Sequence, residues 1–321
     1  MKIRANAWSK LGQNATFGGI GMMEVVQENP NVKFITADVS TLLGLKRFKT
    51  MYPDNYIDVG IAEQNMVTVA AGLALEGNQV FVSTYASFVA MRGLEQIRHN
   101  LGYLKCDVKI VGMSAGACTG KSGISHWATE DIACMRAIPN MIVMSPADCG
   151  EVVKMTVAAA KVNQPVYIRL CGNLNVPIVY SEDYDFQIGK GIWMKKGRDV
   201  AILATGLMVK EALEAAEILE QKGISCAVIN LHTIKPLDEQ LLDEVYANYQ
   251  LIVTIEEHST IGGLGSAVAE HKARKKNTPR QVFLGITDRY METGARDFIM
   301  KQYGLTGAQI AVSIEKEILQ S

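Results

Sequence analysis

Short β-branched runs alternate with helix-patterned segments along most of this 321-residue chain, and that alternation narrows the fold more than any other feature. Strand-like runs fall at 32–38, 56–59, 79–83, 108–113, 141–145 and 165–170, with helix patterns at 16–28, 63–75, 88–99, 129–136 and 147–161 between them. Apolar runs joined by helices of this length read as parallel strands covered on both faces. A polar stretch at 173–191, containing Pro177, Glu182, Asp183 and Asp185, interrupts the rhythm and marks a domain boundary. The alternation then resumes, with strands at 200–204, 225–230, 251–255 and 282–285 and helices at 208–222, 239–248 and 266–275. Lys235-Pro236-Leu237-Asp238 opens the middle helix, where proline suits a first turn. The expected fold class is α/β in two domains, 1–180 and 190–321, each a mostly parallel sheet flanked by helices.

Composition removes several function classes. A chain this long, 48% hydrophobic, can bury two cores. A net charge of −1 leaves no electrostatic footprint for nucleic acid. No apolar run reaches the roughly 18 residues that span a bilayer, and residues 1–8 lack the apolar core of a secretory leader. Cys106, Cys118, Cys134, Cys149, Cys171 and Cys226 show no C-x-x-C spacing, which argues against a zinc or redox motif. Reduced, mostly buried thiols in a cytoplasmic protein are expected.

Three segments can carry chemistry. In Asp58-Val59-Gly60-Ile61-Ala62-Glu63, an extended run ends at a glycine, and an almost uncharged helix of small residues follows. That helix is too apolar for a surface, and its first turn holds one carboxylate, Glu63, where the helix end favours negative charge. Glu63 is either a satisfied cap or a reactive group. Gly120-Lys121-Ser122-Gly123-Ile124-Ser125-His126 is a glycine-rich loop ending in a lone histidine, structural or functional, and Phe81, Tyr85 and Phe88 are core or site. Gly262-Gly263-Leu264-Gly265 has the start of a dinucleotide fingerprint, but Val268 stands where the third glycine belongs, so a tight strand-to-helix turn is the better reading. Glu256, Glu257 and His258 before it are adjacent and point in different directions, which suits a solvated strand end better than a metal site.

Taken in order, these segments resemble the transketolase superfamily of thiamine-diphosphate enzymes. Gly60-Ile61-Ala62-Glu63-Gln64-Asn65 resembles its glutamate-bearing segment, and the run from Ser83 to Arg92 its aromatic segment. Gly120-x-x-Gly123-x-Ser125-His126 is similar to its G-x-D-G-x-T-H-Q loop, followed in both by Arg136-Ala137-Ile138-Pro139-Asn140-Met141 and Pro146-Ala147-Asp148. The segments from Glu256 to Gly265 and from Gly285 to Gly294 resemble the transketolase C-terminal domain. The fold the resemblance implies is a pyrimidine-binding domain followed by that domain.

The resemblance also implies roles. Glu63 would hydrogen-bond the cofactor's pyrimidine N1′ and favour its imino tautomer. Phe88 and Tyr85 would stack on or line the pyrimidine. His126 would hydrogen-bond the substrate oxygen where charge builds. The family holds the diphosphate through Mg²⁺ on a Gly-Asp-Gly motif, which this chain lacks. The chain therefore looks like the C-terminal half of a split transketolase, inactive alone. It would need an N-terminal subunit bearing that motif and would form an α2β2 assembly acting on sugars. Departures bear on the substrate: the loop acid is Ser122, preceded by Lys121, and the Gln after the histidine is Trp127. A histidine before the loop becomes Ser114, a phosphate-binding Arg becomes Cys171, and an early Arg aligns near Phe17. Ser114, Lys121 and Ser122 are the implied substrate contacts. Lys46, Arg47 and Lys121 would have to replace the lost cations, or the acceptor is unphosphorylated, sulfonated or less polar. Two other readings share the fold: the β subunit of a 2-oxo acid decarboxylating complex, and a non-catalytic scaffold.

Overall fold

The computed structural model describes residues 4–172 and 174–320. Residues 1–3 of the N-terminal segment, and Asn173, where the expected linker begins, lie outside the described residues. Among the described residues twelve strands form two sheets. They are β1 (Val32–Thr36), β2 (Tyr56–Asp58), β3 (Gln79–Tyr85), β4 (Val108–Met113), β5 (Ile142–Met144), β6 (Val166–Arg169), β7 (Ile192–Lys195), β8 (Val200–Ala204), β9 (Cys226–Asn230), β10 (Thr233–Lys235), β11 (Leu251–Ser259) and β12 (Arg280–Ile286). The first sheet runs β10-β5-β6-β4-β3-β1-β2 and the second β12-β11-β8-β9-β7. Both are parallel except for one antiparallel edge strand each, β10 and β7. The α/β class is as the alternation requires: β4, β5, β6, β8 and β9 are buried along their full length because helices cover both faces.

The halves are interlocked. β10 follows β9 in the chain, yet pairs with β5, Thr233 opposite Met144, and so completes the first sheet from the second half. One apolar cluster runs from Ile35, Val67 and Val82 through Ile132 to Leu203, Ile229 and Val245.

Several elements differ from the sequence pattern. The N-terminal helix begins earlier, at Ala5–Thr16, and reaches Met22–Glu28 through an i→i+5 turn at Phe17–Gly21. Its first part is polar and kinked at Gly12, which hides the helical period. Pro236 is not in a helical turn; it follows β10, and the helix Glu239–Asn248 is capped by Asp238, whose Oδ1 accepts the Leu241 N–H at 3.2 Å. Residues 174–191 are irregular but not loose: Asp148 Oδ2 accepts Val179 and Tyr180 N–H at 3.0 and 2.9 Å. Glu256, Glu257 and His258 are buried, not solvated, because β11 extends past Ile255 and each side chain finds a partner. All six cysteines are free, and burial pushes the Cys149, Cys171 and Cys226 thiols up to about 12.

The topology places a crevice. From β1 the chain moves to one side to form β2, then crosses to the other side to form β3. Such a reversal opens a cleft at the carboxyl ends of the strands, where ligands bind in α/β sheets. Glu63 follows β2, Phe88 follows β3 and the loop of His126 follows β4.

Candidate active site

Glu63 opens the helix Glu63–Leu75 directly after Gly60, whose φ of 73° turns the chain at the end of β2. Asp58 Oδ1 fixes that turn by accepting the Asp38 and Gly60 N–H groups, each at 3.0 Å. The helix has no side-chain cap, so Glu63 does not act as one. It is 2% exposed, and its Oε2 accepts Arg92 Nη1 at 2.7 Å. The other carboxylate oxygen accepts no hydrogen bond among the described residues. Arg92 is half-exposed and sets its guanidinium 4.5 Å from the centre of the Phe88 ring, a cation–π contact.

The aromatic residues form a triangle. Ring centres lie 5.4 Å apart for Tyr85 and Phe88, 5.3 Å for Tyr85 and His126, and 5.2 Å for Phe88 and His126. His126 Nδ1 lies 3.0 Å from the Ser125 hydroxyl. Glu63, Tyr85, Phe88 and His126 are thus one contact group, joined by Arg92. Arg92 ends the aromatic segment of the sequence but drew no role there; its signal is a cation four residues after Phe88.

The remaining positions lie differently. Lys121 and Ser122 are exposed in the loop, where the Ser122 carbonyl accepts the Ser125 hydroxyl at 3.3 Å. Ser114 is buried, and its hydroxyl accepts Asn14 Nδ2 at 2.9 Å. Cys171 is buried too, its N–H donating to Gln13 Oε1 at 2.7 Å and its sulfur accepting Arg169 Nη1 at 2.7 Å. Phe17 packs with Phe34 and Phe81, ring centres 5.8 and 6.4 Å away. No cation stands at any of these three positions. Lys46 and Arg47 lie on the separate helix Lys46–Met51.

A cavity of about 270 Å³ opens beside the triangle, lined by Ser87, Phe88, Met91, Arg92, Ser125 and Tyr290 among others. The Ser87 hydroxyl is buried without a hydrogen-bond partner among the described residues. A buried carboxylate with one oxygen unused, an aromatic face and an unpaired hydroxyl suit a planar nitrogen heterocycle. Among the described residues no group of three or more His, Cys, Asp or Glu side chains is placed to hold a metal. The Gly263–Gly265 turn is closed to a phosphate. Glu256 fills it, accepting the Leu264 and Gly265 N–H groups at 2.7 and 2.8 Å.

Comparison with known proteins bears on this arrangement. The pyrimidine-binding domain of transketolase matches residues 15–175, and the transketolase C-terminal domain matches residues 189–310. The chain belongs to the transketolase family. A putative transketolase C-terminal section from Methanocaldococcus jannaschii is 39% identical over 302 residues, 94% of each chain. A 6-deoxy-6-sulfo-D-fructose transketolase subunit, SqwH, from a Clostridium species is 38% identical, covering 90% of this chain and 89% of that one. Among solved structures, a split-gene transketolase described as an inactive beta4 tetramer superposes with a TM-score of 0.86 at 40% identity, covering 95% of this chain and 97% of that one. A transketolase pyrimidine-binding domain implies thiamine diphosphate binding. No helix among the described residues is long and apolar enough to cross a membrane.

Proposed function

We propose that this chain is the C-terminal subunit of a split, thiamine-diphosphate-dependent transketolase that moves a two-carbon ketol unit from a ketose to an aldehyde. In this reading residues 1–180 form the pyrimidine-binding domain and residues 190–321 the C-terminal domain. A separate N-terminal subunit bearing a Gly-Asp-Gly motif holds Mg²⁺ and the diphosphate, and the two assemble as α2β2. The relatives described as a C-terminal section and as a transketolase subunit support a divided enzyme.

One observation carries the reading: the Glu63 carboxylate, paired on one oxygen only, beside the Phe88–Tyr85–His126 triangle. When bound, thiamine diphosphate supplies a nucleophilic carbon that takes up the ketol unit. Glu63 offers its second oxygen to the ring N1′ and holds a proton there. Phe88 gives the ring a face, with Tyr85 behind it. His126 donates to the substrate oxygen on which charge develops. The neutral residues Ser114, Cys171 and Phe17 favour a substrate end without the usual phosphate, leaving Lys121 and Ser122 as contacts at the loop.

Co-purification followed by ketol-transfer assays with the second subunit tests this. Glu63→Gln is expected to cut turnover by about 10²- to 10⁴-fold. Full activity of Glu63→Ala at unchanged cofactor requirement would sink the assignment. Faster turnover of pyruvate than of ketoses would favour the 2-oxo acid decarboxylase reading, and absence of cofactor binding the scaffold one.

A further inference from the structure

The two sides of the site are built by different parts of the chain. Glu63, Tyr85, Phe88 and Arg92 all come from elements around the first sheet. The loop carrying His126 is seated instead on the second half. Its ends are closed by paired hydrogen bonds between Gly116 and Ala128, N–H to carbonyl at 2.9 and 3.0 Å. At one end the Ala117 N–H donates to Glu257 Oε1 at 3.0 Å. At the other end Arg169, from β6 of the first sheet, bridges the loop to the second half: its Nη2 donates to both the Ala128 and Glu257 carbonyls, at 3.1 and 2.8 Å. The Ser259 N–H donates to the Thr129 carbonyl at 2.7 Å.

Glu257 is 2% exposed, and its second oxygen is taken by Arg296, which donates through Nε at 3.0 Å and through Nη2. The two carboxylate oxygens therefore divide the contacts: Oε1 holds the loop, and Oε2 is held by Arg296. The approach is close along the loop. A Cβ on Gly116 would come within 2.5 Å of Glu257 Oε1, and one on Gly120 within 2.5 Å of the Gly294 carbonyl. A buried ion pair is weak evidence for stability, since desolvation offsets the attraction. Its value here is directional: it aims one acceptor at one loop amide.

We propose that Glu257 and Arg296 are positioning residues that act through the Ala117 amide to hold His126 against the substrate, leaving cofactor binding to the first half. This rests on the reading of His126 as the substrate-side group. The partition follows from connectivity. The His126 ring meets Tyr85 and Phe88 edge to face, whereas Glu63 is held separately by Arg92, so loosening the pair is expected to move the histidine and leave the carboxylate in place.

Glu257→Gln keeps the shape and an acceptor for Ala117 but removes the charge that holds Arg296. Arg296→Lys keeps a cation against the Glu257 carboxylate while removing the guanidinium's second donor, and Glu257→Gln/Arg296→Met removes both charges at similar volume should a single variant fail to fold. In the chain alone, amide hydrogen exchange across 117–127 is expected to quicken at least tenfold in Glu257→Gln, with exchange in Glu63–Leu75 unchanged. In the assembled enzyme the same variant is expected to raise the ketose KM or lower kcat about tenfold, while the thiamine diphosphate Kd stays within twofold. Arg296→Lys, with the ion pair kept, is expected to show a smaller loss than Glu257→Gln. Unchanged exchange at 117–127 would overturn the proposal, as would a cofactor Kd weakened as much as the substrate terms. Faster exchange at 117–127 in Glu257→Gln, alongside a wild type that transfers no ketol unit with any partner, would uphold the positioning contact and sink the proposed function instead.

Discussion

At the scale of single residues, Arg92 decides how Glu63 behaves. The carboxylate is buried at the end of an apolar helix, and this guanidinium is its one hydrogen-bonding partner among the described residues. Removing one member of a buried ion pair leaves an uncompensated charge, though solvent at the half-exposed Arg92 discounts the loss. Arg92→Ala is expected to lower stability by about 1 kcal/mol in urea denaturation. The same change in a Glu63→Gln background is expected to cost close to nothing; an equal loss in both backgrounds would show that the pair is not coupled. Glu63 was legible in the sequence because a lone acid in an apolar helix is conspicuous. Arg92 was not, because its partner Glu63 lies 29 positions earlier on another element, a contact only the tertiary fold makes.

Among the elements, the loop from Gly116 to Glu130 is held at both ends by hydrogen bonds. Gly116 has a φ of 62° and sits against Glu257, whereas Gly60 has a φ of 73° and open space around its missing Cβ. Alanine at either position meets left-handed strain of about 1 kcal/mol. At Gly116 it also collides with the carboxylate that holds the loop. Gly116→Ala is therefore expected to lose more stability than Gly60→Ala, and thermal melts of the two variants settle the ranking. Half-buried β7 gave no strand signal, whereas β4, β5, β6, β8 and β9 were readable because their residues are buried on both faces and form short apolar runs. β10 was not: three residues before a proline carry no period, and their pairing with β5 is a tertiary event. Glu256 to His258 misled for a related reason. Three polar residues at a strand end suggest solvent, yet Glu256 caps the helix Leu264–Lys272, Glu257 pairs with Arg296, and His258 Nε2 accepts the Ala133 N–H at 3.3 Å.

For the whole molecule, two buried groups at the junction of the halves set opposing pH dependences. Burial pushes Glu151 from 4.5 up to about 7, even though Ala147 N–H, Asn230 and Tyr184 all donate to it. Burial pulls His232 from 6.5 down to about 4. A raised carboxyl stabilises the fold below its unfolded value and loses that contribution as pH climbs toward 7; the depressed histidine contributes above 6.5 and loses it as pH falls toward 4. Between about pH 4.5 and 6.5 the two slopes offset each other. Glu151→Gln should expose the histidine alone, so that stability falls monotonically on acidification below pH 6.5, by about 3 kcal/mol at the limit. Urea midpoints across that range measure it, and a flat profile in the variant would count against the offset. The family and the two-sheet plan were legible from ordered motifs. The junction was not, since it is made of pairings between residues such as Glu151 and Asn230, 79 positions apart.

The strand that crosses from one half to the other has a consequence for taking the molecule apart. β5 owes one of its two hydrogen-bonded neighbours to β10, so severing the chain at the irregular segment before β7 would strip that edge and leave a row of backbone donors and acceptors open to any passing strand. Two domains that can be told apart by eye are, in their backbone pairing, a single object.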